Sequence, residues 1–181
     1  MARGNRALTR NSLTSIFICL LAGCASTTTL DVTGLRQGLP PLCPPEERPL
    51  LLVLWSAQWR PDQKDVAARD DAAWQGIQRY FIHSRCKAEI RHADAMPGDA
   101  SAYGRVVVLT VRELGPVLHI GSPSLLEGGT EVVVDVKAFN NVTGAQLVDL
   151  RMHWRDGGPF VIKGVGTLAD DMTEALRATF E

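Results

Sequence analysis

Val148-Asp149-Leu150-Arg151-Met152-His153-Trp154-Arg155 alternates apolar and polar residues without a break. Successive side chains of a β-strand point to opposite faces, so this period of two describes a strand with one dry face and one wet face. Just before it, Asn140-Asn141-Val142-Thr143-Gly144 has the chemistry of a hairpin turn. On the far side of that turn, Val132, Val134, Val136 and Ala138 alternate with Glu131, Asp135 and Lys137. The two runs are expected to pair antiparallel, with Asp149, Arg151, His153 and Arg155 on the wet face and Lys137 joining them from the neighbouring strand.

Working outward, Arg105 to Arg112 is rich in β-branched residues, and Leu50 to Trp55 is a short continuous apolar run suited to a strand buried on both faces. Between Asp65 and Ser84, Val66, Ala73, Trp74, Ile77, Tyr80 and Phe81 recur at helical spacing. Ala88 to Ala93 can form another strand. Downstream, Gly157-Gly158-Pro159 reads as a second turn and Phe160 to Lys163 as a short last strand. Leu168, Met172, Leu176 and Phe180 then mark a closing helix, with Thr167 as its N-cap and Asp170 and Asp171 near its positive end. The expected order is β-α-β-β-β-β-α, with residues 114–129 as a loop or broken strand. A sheet with one wet face and two amphipathic helices implies an α+β two-layer sandwich, a mostly antiparallel four- to five-stranded sheet with both helices on one face. This element order resembles the small domain at the N-terminus of the Tol-system propeller protein and related envelope accessory lipoproteins. That resemblance covers residues 50–180 and carries no functional residue with it.

The N-terminal region has a different character. Arg3, Arg6 and Arg10 precede the apolar run Ile16 to Ala22, which is shorter than a spanning helix needs. Leu21-Ala22-Gly23-Cys24 follows, a branched apolar residue and two small ones before a cysteine. It resembles the bacterial lipobox, which implies a signal peptide over 1–23 and a diacylglycerol on the thiol of Cys24. Two or more acyl chains give stable attachment to a membrane. Ala25, where inner-membrane lipoproteins of this class tend to carry Asp, implies the outer membrane, with the domain facing the periplasm. Residues 24–49, rich in Thr, Gly and Pro, read as a tether, and residues 50–181 as a single periplasmic domain.

Once Cys24 is acylated, Cys43 and Cys86 are the thiols left to the mature chain, and an oxidising compartment favours a disulfide between them. A competing reading makes His83 and Cys86 half of a metal site, but a tetrahedral site wants three or four ligands.

The 181 residues are 45% apolar and carry a formal net charge of -1, which gives no electrostatic footprint for nucleic acid. A catalytic reading needs a nucleophile, a base and a stabiliser that converge, or a metal with enough ligands. His83, His92, His119 and His153 fall on separate elements, and no phosphate loop or nucleophile elbow is present. Asp70-Asp71 and Asp170-Asp171 are sequence neighbours whose side chains diverge on a helix. No enzyme activity, metal or cofactor is therefore expected. The expectation is a noncatalytic accessory lipoprotein of the envelope that binds a protein through Lys137, Arg151, His153 and Arg155. The alternative is a small-ligand or lipid-binding protein that uses Trp55, Trp59 and Trp74.

Overall fold

The structure, a computed structural model, describes residues 26–35, 42, 50–84, 86–93, 100–120 and 126–181. Its strands are β1 (Thr27–Leu35), β2 (Leu50–Ala57), β3 (Lys87–His92), β4 (Arg105–His119), β5 (Glu127–Asn140) and β6 (Gln146–Pro159). The helices are α1 (Val66–His83), between β2 and β3, and α2 (Leu168–Phe180), after β6. One six-stranded sheet runs in the order β1-β6-β5-β4-β2-β3. The α1 crossover brings β3 beside β2 in parallel, as such pairs require. β4 lies parallel to the other side of β2, and β4, β5, β6 and β1 then continue antiparallel.

The α+β class and the two helices on one face are as expected, but the sheet is mixed and has six strands. Residues 27–35, expected in a tether, form β1 and pair with β6 from Thr27↔Gly157 to Leu35↔Asp149. Their Thr and Val residues suit a strand, and its position at the sheet edge leaves most of them exposed, which made them look like linker. Residues 114–129, expected as a loop or broken strand, are largely strand: β4 passes a bulge between Val111 and Glu113 and runs on to His119, and β5 begins at Glu127.

Gly157-Gly158-Pro159 is not a turn, and Phe160 to Lys163 is not a strand; β6 runs through to Pro159. Gly129 and Gly157 face each other, and a Cβ on either would meet the opposite backbone at 2.4 or 2.3 Å. Close backbone approach explains the glycines there.

Leu51, Val53 and Trp55 of β2, with Val132, Val134, Leu150, Met152 and Trp154, form one core with Ile77, Tyr80 and Phe81 of α1 and Leu168, Met172 and Leu176 of α2. Leu52 and Leu54, on the other face of β2, join a smaller cluster with Tyr103 and Val106. β2 is thus buried on both faces, as its unbroken apolar run requires.

Candidate functional site

With even-numbered residues of β6 packed toward the helices, the odd-numbered ones stand on the open face. Lys137, Arg151, His153 and Arg155 all lie there, as expected. The register also puts acids among them: Asp135 faces Arg151, Glu131 faces Arg155 and Asp149 faces Lys137 across β5 and β6. From β1, Asp31 faces His153 and Thr33 faces Arg151. The stripe is therefore a lattice of alternating charge, with an acid set against each of Lys137, Arg151 and Arg155.

Asp135 is its hub. Its carboxylate accepts from Arg151 Nε at 2.5 Å and Nη2 at 3.0 Å, and from Arg112 Nε at 2.8 Å. Arg112 is the residue at the β4 bulge, which aims it across the face, and its guanidinium also donates to Gln58. Hydrogen bonds from Arg151, opposed by partial burial and aided by Arg112, hold the Asp135 carboxyl below the usual carboxylate range. The same bond raises the pKa of the Arg151 guanidinium. Further along, His153 Nε2 lies 2.5 Å from Glu131 Oε1, which also accepts from Arg155 Nη2 at 3.3 Å. The buried Nε of Arg155 has no hydrogen-bond partner among the described residues. A shallow depression of about 570 Å³ opens on this face, with Thr33, Thr110, Arg112, Asp135, Asp149 and Arg151 in its lining.

Of the other residues singled out in the sequence, Trp59 adjoins this face, lining a second depression with Arg112 and Glu131, whereas Trp55, Trp74, His83 and Cys86 lie elsewhere. Trp55 is buried and stacks on Trp74 with ring centroids 5.9 Å apart, while His92 packs edge-on against Trp55 at 5.1 Å. Trp59 donates to Asp70 Oδ1 at 3.0 Å. Trp55 belongs to the packed core and Trp74 packs half-buried against it. His83 Nδ1 lies 2.8 Å from the carbonyl oxygen of Arg79 in its own helix. Among the described residues, no group of three or more His, Cys, Asp and Glu is placed to hold a metal ion. Residues 1–23, Cys24 and Cys43 lie outside the described residues.

Two buried polar clusters on the helix side escaped the sequence reading. Asp171 is 7% exposed: it accepts from Thr130 at 2.6 Å and Thr167 at 3.0 Å, and pairs with Lys163 at 2.7 Å. Lys163 also reaches Asp156 at 2.5 Å and lies over the Trp154 ring, 5.8 Å from its centroid. Burial depresses the Lys163 pKa, but the two carboxylates outweigh it and leave it raised. Thr167 occupies the N-cap position without bonding the helix backbone; its hydroxyl serves Asp171 instead. In the second cluster, Arg69 donates to the carbonyl oxygens of Lys64, at 2.8 Å, and Leu114. A Cβ on Gly115 would lie 1.6 Å from the Arg69 guanidinium, so Arg69 fits only above a glycine. Aspartates near a helix start and an isolated arginine are the only sequence signals for these contacts, whose partners are remote in the chain.

No protein-family profile and no curated protein matches the chain. Among solved structures it is similar to a PelC dodecamer from Paraburkholderia phytofirmans, at 14% identity and a TM-score of 0.47 over 85% of this chain and 98% of that one. A lipoprotein from Neisseria meningitidis is similar at 12% identity and a TM-score of 0.43, over 71% and 98%. A minor lipoprotein from Acinetobacter baumannii gives 13% and 0.37, over 71% and 93%. These scores are too low for an activity or partner to be carried across.

Proposed function

We propose that this chain is a lipid-anchored, noncatalytic accessory protein of the bacterial outer membrane that presents the open face of its sheet to a protein partner in the periplasm. The lipobox-like Leu21-Ala22-Gly23-Cys24 supplies the anchor, since a diacylated and N-acylated cysteine holds a protein firmly on a bilayer. The observation that carries the partner reading is the Asp135 hub. Arg112 and Arg151 are already fixed in place by hydrogen bonds on the face opposite the one on which both described helices pack. Docking on pre-ordered arginines loses less rotamer freedom than docking on loose ones, and arginine is enriched at protein interfaces.

The anchor is tested by labelled palmitate: Cys24→Ser should abolish incorporation, and unchanged labelling would refute it. The face is tested by affinity capture from crosslinked membranes with the lipidated protein. A specific envelope protein should be recovered, and lost with the double variant Arg151→Glu/Arg155→Glu, which should still unfold cooperatively, at a somewhat lower temperature because the new carboxylates face Asp135 and Glu131. Capture retained by the folded double variant would exclude the face. The remaining cysteine pairing, Cys43 with Cys86, is part of the same proposal.

A further inference from the structure

Ten large apolar side chains are exposed among the described residues, and five of them belong to one end of the sheet. They are Leu118 (56% exposed), Ile120 (80%), Phe160 (64%), Ile162 (81%) and Val165 (46%). The other five, Leu30, Leu50, Val66, Ile82 and Val142, are distributed over other elements. Exposed apolar residues scattered singly are ordinary, but a group drawn from separate chain segments to one end marks an interaction surface.

The registers fix which end this is. Thr27 of β1 pairs with Gly157 of β6, which pairs with Gly129 of β5, which pairs with Val117 of β4. Leu118 near the end of β4 and Ile120 just after it lie beyond that row, as do Phe160 to Val165 after β6. Leu118 and the loop both adjoin Gly128: a Cβ there would lie 3.5 Å from Leu118 Cδ1 and 2.2 Å from the Val161 carbonyl oxygen.

The loop is held in this position. The Phe160 amide donates to the Leu126 carbonyl oxygen at 3.0 Å, and the Val161 amide donates to that of Gly158 at 3.2 Å. Phe160 has φ 61, a left-handed conformation costly for a bulky residue, which persists only where surrounding structure enforces it. Lys163 pins the following segment through Asp156 and Asp171. Phe160 and Ile162 thus point outward from a fixed backbone.

The same row receives the N-terminal segment. Two residues, Ala25 and Ser26, separate Cys24 from Thr27, and the three residue steps span at most about 11 Å even when fully extended. An acyl group on Cys24 is confined to the end of the sheet that carries these five side chains. We infer that this end lies against the lipid bilayer, with Leu118, Ile120, Phe160, Ile162 and Val165 entering its interfacial layer beside the acyl chains on Cys24. The inference rests on the anchor reading above. The short reach from Cys24 favours lipid over a second copy or another protein, because the bilayer is brought to this surface whenever the anchor is inserted.

The test uses the full-length chain in its own membranes, with the photoreactive residue p-benzoylphenylalanine replacing Ile162 or Ile120 on the proposed surface. Val142 and Ile82, 86% and 74% exposed and near the opposite end, are replaced likewise as controls. Palmitate incorporation is measured on the same samples. Phospholipid adducts at 162 and 120, and none above background at 142 and 82, are the expected result. Acylated protein that gives protein adducts or no adducts at both 162 and 120 would overturn the inference and leave the anchor standing. Absence of acylation would overturn the anchor reading and this inference with it.

Discussion

On the open face of the sheet, Asp135 pairs with Arg151 and Arg112, whose side chains remain 55% and 40% exposed. Under α2, Asp171 pairs with Lys163 while only 10% and 17% of the two side chains stay exposed. The chemistry is similar and the surroundings are not. An exposed pair gains little, because water and salt compete for both charges and ordering long side chains costs entropy. An enclosed pair has already lost its hydration, so removing one partner strands the other. The enclosed cluster should therefore govern stability and the open lattice should govern what the face can bind.

The largest effect expected from this contrast is that of Asp171→Ala. It removes the acceptor of Thr130 and Thr167 and one of two carboxylates at Lys163. Breaking a buried pair costs ~3–5 kcal/mol; with Asp156 still present and the site partly wet, about 2–4 kcal/mol is expected in urea unfolding. A loss under about 0.5 kcal/mol, the ordinary size for a surface change, would break the contrast.

Acid sharpens the comparison with a smaller effect. Asp135 and Asp156 both titrate below the usual 3.8, Asp135 chiefly through the Arg151 hydrogen bond. For Asp156, burial raises the pKa, and hydrogen bonds from Lys163 and Thr28 overcome it. A carboxylate with a lowered folded-state pKa contributes stability that is present above its unfolded value. That contribution is lost as pH falls through the folded value. Stability should thus decline below pH 3.8, and Asp135→Asn should remove only part of the decline. Repeating the titration in high salt should shrink the Asp135 share more than that of Asp156, whose partner Lys163 is 17% exposed against 55% for Arg151. Equal salt sensitivity in denaturation curves of wild type and Asp135→Asn would contradict the distinction.

These differences also separate what was legible in the sequence from what was not. Alternation in 148–155 assigned both faces of β6 correctly, because a period of two needs only neighbouring residues. It named Arg151, His153 and Arg155 as a group but missed their neutralisation, which depends on register with β5. β1 was hidden because an edge strand that buries few of its side chains has weak apolar alternation. Gly157-Gly158 imitated a turn, since nothing local reveals that it faces the Gly128-Gly129 doublet of β5. Lys163 reads as an ordinary surface cation until Asp156 and Asp171 are brought to it by the return of α2 over the sheet.

The smallest expected effect belongs to Arg155 and divides the open lattice itself. Arg151 makes two hydrogen bonds to Asp135, whereas Arg155 reaches Glu131 once, at 3.3 Å, and Glu131 keeps His153 without it. Arg155 Nε is also buried without a partner among the described residues, so the native side chain bears a desolvation cost that an apolar replacement would relieve. Methionine preserves much of the apolar length of the arginine stem. Arg155→Met should accordingly change unfolding stability by no more than about 0.5 kcal/mol, in either direction, while Arg151→Met loses up to about 1 kcal/mol with its paired bonds. Urea unfolding of the two single variants measures the difference directly. A loss from Arg155→Met that equals or exceeds the loss from Arg151→Met would show that Arg155 is fixed by contacts stronger than its single bond to Glu131. It would then be a support of the sheet and not a side chain free to exchange Glu131 for an acidic group on a partner.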